Sequence, residues 1–180
     1  MKQTILAFLL LFSVATVFAQ KKTTTSAIVS FDATTSLDNL PKAENKTVVA
    51  ALNTSTGDLA FEATINSFSF ENPKMQEHFV SAGWMDAEKF PLATFSGKIT
   101  NLKDINFSKD GTYQADVAGD LSIHGETNPA TAKGTIKVAG GKITATSDFS
   151  IKLEDYKVNG GAIAAGKVSK EPKITVTASF

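Results

Sequence analysis

Apolar and polar residues alternate with a period of two along most of this sequence. Successive side chains of a β-strand point to opposite faces, so the alternation predicts strands that each carry one apolar face. Such runs span residues 27–31, 47–53, 59–65, 93–99, 113–123, 130–138, 143–153 and 174–180. The chain is therefore predicted to be all-β, with eight strands.

Short turn signals separate these strands. Asp110-Gly111 and Gly140-Gly141 predict tight hairpins, and HGETNP predicts a slightly longer turn. In DLAFEATINSFSF the apolar phase shifts by one residue near Asn66-Ser67, which predicts a bulge or a bend. Eight antiparallel strands linked by hairpins close naturally into a barrel that exposes no edge. A sandwich of two sheets is the alternative.

The first residues differ from the rest of the chain. Lys2 precedes an apolar run over residues 5–18, and Val17-Phe18-Ala19 fits a small-x-small cleavage site. Residues 1–19 are therefore expected to be a cleaved secretory signal, and residues 20–180 a single exported domain. A transmembrane anchor is the alternative, although the run is short of the roughly 20 residues that a spanning helix needs.

Charge and composition argue against several classes of partner. The formal net charge is zero, and no basic or acidic run stands out, which disfavours nucleic acid and anionic membrane surfaces. The chain has no Cys, so its stability must come from packing and backbone hydrogen bonds. It also has no Arg, the residue best suited to bidentate recognition of phosphate.

A dense aromatic insert interrupts the strands between residues 70 and 95. Asn72 is a suitable N-cap, Pro73 suits the first helical position, and Gly83 suits the residue just past a helix end. These signals predict one short helix over about residues 73–82.

That helix is too short to be stable alone, so it must dock on an apolar surface. Met75 and Phe79 share one of its faces, and Trp84 follows soon after. We expect these side chains to pack over one mouth of the barrel. The helix would then be either a plug that seals the core or a lid that contacts a ligand.

Many inward positions of the middle strands are small. Large inward side chains fill a barrel of this size, whereas small ones leave room for a ligand. The alternative is that the small residues only accommodate Phe side chains from the opposite wall. The positions are Ala115, Gly119, Ala130, Ala132, Gly134 and Ala145.

No motif predicts catalysis or metal binding. The only histidines are His78 and His124, and neither belongs to a metal-binding or triad motif. Asp148, Glu154 and Asp155 lie close together in sequence, but surface carboxylates are far commoner than acid–base pairs. The chain is therefore predicted not to be an enzyme and to need no cofactor.

Three motifs resemble the YceI-like family, and the match covers roughly residues 61–158. They are MQEHFVSAGWMDAEKFPLATFSGKI, GDLSIHGETNPA and KLEDYKV, in the family's order. The resemblance implies an extended eight-stranded, lipocalin-like antiparallel barrel in the periplasm or outside the cell. It also implies a long amphiphilic lipid, such as a polyisoprenoid, quinone or fatty-acid derivative, in the lumen.

Two segments depart from the family pattern. Residues 21–50 keep only Phe31-Asp32 of an aromatic-x-Asp-x-x-His-Ser start, and residues 159–171 lack the family's Ile-Pro. Gly160, Gly161 and the alanines that follow predict a flexible, bare connection there.

The main hypothesis is a non-enzymatic lipid carrier. Lys74 and His78 are expected to be weak headgroup contacts. A filled barrel that acts as an envelope-stress or structural interaction protein is the alternative, and a hydrolase or isomerase that uses a histidine is the third hypothesis. The sequence leaves open whether the chain forms a homodimer. The expected lipid contacts are Phe61, Phe68, Phe70, Met75, Phe79, Trp84, Phe95, Leu121 and Phe149.

Overall fold

A computed structural model describes residues 20–180, so the predicted signal segment lies outside the described residues. The described chain is dominated by strands, with two short helices, α1 (Pro73–Val80) and α2 (Gly161–Ala164). Three 3₁₀ turns cover Ile65–Ser67, Leu102–Asp104 and Leu153–Tyr156. The strands are β1 (Lys21–Asp32), β2 (Lys42–Asn53), β3 (Asp58–Thr64), β4 (Ser69–Phe70), β5 (Leu92–Ile99), β6 (Gly111–Ile123), β7 (Glu126–Ala139), β8 (Lys142–Ser150) and β9 (Lys173–Ser179).

Strand pairing closes the sheet into a barrel. The strand order is β1-β9-β8-β7-β6-β5-β3-β2, and β1 pairs with β2 to join the two ends. All of these pairs are antiparallel. The two-residue β4 pairs with the start of β2, on the same edge of β2 that pairs with β3 further along the strand. The predicted eight-stranded antiparallel barrel is confirmed, and the sandwich alternative is wrong.

The period-two alternation places the apolar face of each strand inside. In β2, Val48, Ala50 and Leu52 are buried, whereas the intervening Val49 is exposed. The phase shift predicted near Asn66-Ser67 is the 3₁₀ turn between β3 and β4. Because this turn resets the phase, Phe68 is buried again.

The turns agree only in part with those predicted from the sequence. Gly140 and Gly141 have φ of 57° and 78° and form the predicted tight hairpin between β7 and β8. The tight hairpin predicted at Asp110-Gly111 is wrong, because Gly111 begins β6 after a longer loop over residues 100–110. The carboxylate of Asp110 instead accepts a hydrogen bond from the Gly140 amide.

The β6–β7 turn is shorter than the predicted HGETNP. His124 and Gly125 have φ of 52° and 78° and make a two-residue turn. Strand β7 begins at Glu126 and continues through Pro129, which lies opposite Asp120. The polar TNP residues are therefore part of a strand.

Both helices lie in connections between strands, at the same end of the barrel. The Asn72 side chain accepts a hydrogen bond from the Lys74 amide and caps α1 as predicted, but α1 ends at Val80, before residue 82. The connection predicted to be flexible contains α2, whose Ile163 is buried. No helix among the described residues is long and apolar enough to cross a membrane.

Two apolar clusters lie at opposite ends of the barrel. The upper end carries the helices and the β6–β7 turn, and the lower end carries the Gly140-Gly141 turn and the loop over residues 100–110. The upper cluster includes Phe31, Phe68, Phe79, Met85, Leu153, Tyr156, Val158, Ile163 and Val168. The lower cluster consists of Leu52, Ile99, Ile105, Ala115, Ile136, Val138 and Ile143.

Candidate functional site

An apolar cavity of about 150 Å³ lies inside the barrel, between the two clusters. All eight barrel strands contribute to its wall, and no charged side chain does so among the described residues. Such a wall favours a dry cavity over a water-filled one. The lining residues include Val29, Val48, Leu59, Ala63, Ala93, Ile99, Val117, Ile136 and Val176, with a few threonines and Ser147.

Most of the small inward residues keep this cavity open. Gly119 does not, because a Cβ there would lie 2.8 Å from the Phe95 ring and 2.5 Å from the Gly97 Cα. Gly119 therefore accommodates an aromatic ring and a closely approaching strand, as the alternative interpretation expected. The small residues that line the cavity are Ala115, Ala130, Ala132, Gly134 and Ala145.

Four of the nine predicted lipid contacts line the cavity. They are Phe61, Phe95, Leu121 and Phe149, from four different strands. Phe61 and Phe95 are opposite each other on β3 and β5, and Leu121 is opposite Phe95 on β6. The structure thus brings three of these residues into one row across neighbouring strands.

Phe79 is the centre of the aromatic group at the upper end. Its ring centroid lies 5.0 Å from that of Phe70, 5.7 Å from Phe68 and 6.1 Å from Phe31. Phe68 and Phe79 are buried, and Phe70 is partly buried. These rings close the upper end of the barrel and do not line the cavity as it stands.

The rest of α1 and the segment after it lie further out. Trp84 is partly buried against the upper cluster, and Met75 is partly buried on α1. Lys74 and His78, the predicted headgroup residues, are exposed on the same helix. The structure does not bring either of them to the cavity wall.

Apart from Leu121, sequence reasoning did not single out the aliphatic part of the wall. Val48, Leu59, Ile136 and Val176 line the cavity as the aromatic residues do. The signal for them is the same period-two alternation, which marks every inward position equally. The predicted contacts were aromatic apart from Met75 and Leu121, and these four aliphatic residues were therefore missed.

The barrel wall is incomplete between β7 and β8. Their pairing runs from Ala139 opposite Lys142 to Gly134 opposite Ser147 and stops there. Above that point, residues 126–133 of β7 and 148–150 of β8 are not paired with each other, and we call these two edges the seam. At its lower limit, the Ser147 hydroxyl donates a hydrogen bond of 2.8 Å to the Lys133 carbonyl.

The upper part of the seam is covered by the 3₁₀ turn Leu153–Tyr156. The Asn128 amide donates a hydrogen bond of 2.8 Å to the Asp155 carbonyl, and Lys157 forms an ion pair with Glu126. The His124 ring lies 3.1 Å from the Tyr156 carbonyl. Burial, helped by Asp155, raises the pKa of Tyr156 above its ordinary value. This turn is thus fastened to β7 rather than to β8.

The titratable groups of the described chain do not come together as a metal site. No group of three or more histidines and carboxylates among these residues is placed to hold a metal ion. His124 packs edge-on against Phe90, with ring centroids 4.7 Å apart. Asp148 accepts a hydrogen bond from Thr175 and pairs with Lys173 at 3.3 Å.

A closed barrel of eight antiparallel strands around an apolar cavity has the lipocalin-like architecture. The profile of the YceI-like domain matches residues 10–180, and this chain belongs to that family.

Relatives within the family match part of the chain. A UPF0312 protein of Pseudomonas fluorescens is 38% identical over 80 residues, which are 43% of this chain and 39% of that protein. Protein YceI of Escherichia coli O157:H7 is 30% identical over 103 residues, or 53% of this chain and 50% of that protein. The chain thus aligns with half or less of the length of these relatives.

Solved structures show the same fold over nearly the whole barrel. A polyisoprenoid binding domain from Saccharophagus degradans, implicated in plant cell wall breakdown, superposes with a TM-score of 0.73 at 12% identity. The superposition covers 88% of this chain and 95% of that domain. Burkholderia cenocepacia BcnA superposes with a TM-score of 0.69 at 20% identity and covers 86% of this chain and 96% of BcnA.

Proposed function

We propose that this chain is a non-enzymatic binding protein that holds the tail of a long amphiphilic lipid in the barrel cavity, for transport or storage. The observation that carries the proposal is the apolar cavity inside the barrel, whose wall contains no charged side chain among the described residues. Pockets of this kind favour apolar ligands. The fold shared with a polyisoprenoid binding domain supports an isoprenoid or a similar chain as the ligand.

The cavity volume limits how much of a lipid fits without rearrangement. A cavity of about 150 Å³ is comparable to one that binds benzene. If about five carbons enter, burial contributes roughly 4 kcal/mol, which the cost of association largely offsets. Tight binding of a long lipid therefore requires the cavity to expand. Two parts of the enclosure are formed by side chains or by unpaired strand edges: the group of rings made by Phe79 and its three phenylalanine neighbours, and the seam.

The first test asks whether the protein carries a lipid. The protein is purified from its native host under mild conditions, extracted with organic solvent and analysed by mass spectrometry. We expect an apolar, elongated molecule at a substantial fraction of the protein concentration. The purified chain should also take up a C20 isoprenoid alcohol in solution, and failure in both measurements would overturn the proposal.

The second test fills the cavity from inside. Ala132 lines the cavity, so Ala132→Leu should lower lipid uptake at least tenfold while leaving the free energy of unfolding nearly unchanged. Ala60→Leu is the matched control, because Ala60 is exposed on β3 and the same change there adds no volume inside. Gly134→Leu is a poor choice, since a Cβ at Gly134 would lie 2.7 Å from the Thr146 carbonyl oxygen.

The second candidate function is that of a filled barrel that acts in envelope stress or as a structural interaction protein. The observation that favours it is the packing of Phe95 over Gly97 and Gly119, which fills one part of the interior. Under this alternative Ala132→Leu overpacks the core and costs about 1–3 kcal/mol, with no uptake in the parent to lose. Measuring stability and uptake on the same variant separates the two functions.

We also propose that the chain is exported to the periplasm or beyond. The support is the sequence of residues 1–19, in which an apolar run follows Lys2 and ends at a small-x-small site. Intact mass measurement of the protein recovered from the cell envelope and medium should show a chain that begins at Gln20. A chain that retains residues 1–19 and stays in the cytoplasmic fraction would contradict export.

A further inference from the structure

A polar groove of about 190 Å³ lies on the outer face of the barrel at the lower limit of the seam. Its outward-facing side chains come from β6, β7 and β8 and include Gln114, Thr135 and Thr146. The groove and the internal cavity share four lining residues: Gly134, Thr135, Thr146 and Ser147. The polar groove and the apolar cavity are therefore separated by little more than the last β7–β8 pairs.

The seam makes this separation thin. Above Gly134 and Ser147 the two strands are no longer paired, and one bond from the Ser147 hydroxyl to the Lys133 carbonyl closes the gap. The cavity reaches Ala130, Thr131 and Ala132 along the unpaired edge of β7. Thr131 is also exposed on the outer face of the barrel. At this point the same residue therefore borders both the cavity and the solvent.

The charges at the groove are already neutralised within the protein. Lys133 pairs with Asp116 at 2.8 Å on one side. On the other side, Asp148 pairs with Lys173 at 3.3 Å and accepts a hydrogen bond from Thr175. A diphosphate would thus meet two carboxylates and two lysines that already have partners, with no Arg in the chain. Hydroxyl and amide groups remain to bind an uncharged oxygen.

We propose that a bound lipid lies across the seam, with its tail in the cavity and an uncharged, hydrogen-bonding headgroup, such as a hydroxyl, in the polar groove. This inference rests on the proposed function and adds to it the class of headgroup and the route through the wall. Thr135, Thr146 and Gln114 bind the headgroup oxygen, and the charged pairs beside them exclude anionic heads.

The first experiment blocks the groove from outside. Thr135→Trp places a large side chain in the groove, and we expect the affinity for geranylgeraniol, measured by isothermal titration calorimetry, to fall at least tenfold. Lys137→Trp is the matched control, because Lys137 is exposed two residues further along the same strand and does not line the groove. Gln114→Trp fills the same groove from β6 and should reproduce the effect.

The second experiment changes the charge at the groove. Asp116→Asn with Asp148→Asn removes both carboxylates and frees Lys133 and Lys173, so the affinity for geranylgeranyl diphosphate should rise about tenfold, while that for geranylgeraniol stays within a factor of about two. The control pair, Asp58→Asn with Asp104→Asn, makes the same change of net charge at the lower end. It should leave both affinities unchanged.

The outcomes separate this inference from the proposed function. If the parent chain binds neither probe, the proposed function fails, and the inference fails with it. If the parent binds geranylgeraniol but both tryptophan variants bind it equally well, the headgroup is elsewhere, and only the inference is overturned. A diphosphate that binds the parent at least as tightly as the alcohol also overturns it.

Discussion

Asn45 is a buried polar residue whose hydrogen bonds hold a bulge in β2. Its side-chain amide donates to the Thr64 carbonyl at 3.0 Å, and its side-chain oxygen accepts from the Thr47 amide at 2.9 Å. The pairing of β1 with β2 shifts register on passing this residue. Asn45 thus links β2 to the end of β3 where the register changes, a role that the sequence pattern did not reveal.

We expect Asn45→Ala to lower the free energy of unfolding by about 1–3 kcal/mol, because it leaves backbone groups without partners. Urea denaturation followed by circular dichroism measures this change. The control is Lys46→Ala at the exposed neighbour, whose ion pair with Glu44 faces solvent and should contribute little to stability. An Asn45→Ala variant as stable as this control would show that the bulge does not depend on the amide.

Asp148 gives a second prediction at the scale of one residue. The hydrogen bond from Thr175 and the charge of Lys173 hold the pKa of Asp148 below its ordinary value of 3.8. The stabilisation is therefore present above pH 3.8 and is lost as the pH falls through the lower pKa of the folded state. In Thr175→Val the pKa of Asp148 should rise toward 3.8, as measured by NMR titration of the carboxyl carbon. Thr177→Val, on the same strand, should leave that pKa where it is.

At the scale of elements, Phe79 is the one buried residue of α1 and its largest contact with the barrel. Phe79 is buried among three other phenylalanine rings, whereas the neighbouring Glu77 is exposed. A helix of eight residues has little stability of its own, so its position depends on this contact.

Phe79→Ala should lower the free energy of unfolding by about 3–5 kcal/mol, because it removes a buried ring and leaves a cavity. Chemical denaturation provides the measurement, and Glu77→Ala serves as the control on the same helix. Proteolysis should then cut the segment over residues 71–90 before the barrel. Equal stability of the two variants would mean that α1 is not anchored through Phe79.

The elements that were predicted correctly from the sequence are those determined by residues close together in the chain. The capping side chain of Asn72 and the ring of Pro73 act within one turn, so the start of α1 was predicted correctly. The β6–β7 turn was predicted too long because Thr127, Asn128 and Pro129 have turn propensity. In the structure they are opposite β6, and strand pairing outweighs that propensity.

At the scale of the whole molecule, alternation fixes which face a residue is on but not its height along the barrel. Phe61 and Phe68 both face inward, yet Phe61 lines the cavity and Phe68 packs in the upper cluster. Height depends on strand register, and register depends on pairings such as Phe61 with Phe95 that join distant parts of the chain. This is why the barrel could be predicted from the sequence and the extent of its cavity could not.

The seam should be visible in the exchange of backbone amides over the whole barrel. Amides of a paired strand exchange slowly because the barrel must open to expose them, whereas unpaired edges need no such opening. We therefore expect residues 127–133 of β7 to exchange faster than residues 135–139 of the same strand, measured by mass spectrometry of peptides. Residues 117–122 of β6 are paired with both β5 and β7 and are the internal control. Bound geranylgeraniol should slow exchange in residues 127–133 and 148–150 more than at the lower end. Uniform protection along β7 in the free protein would show that the wall is closed there in solution.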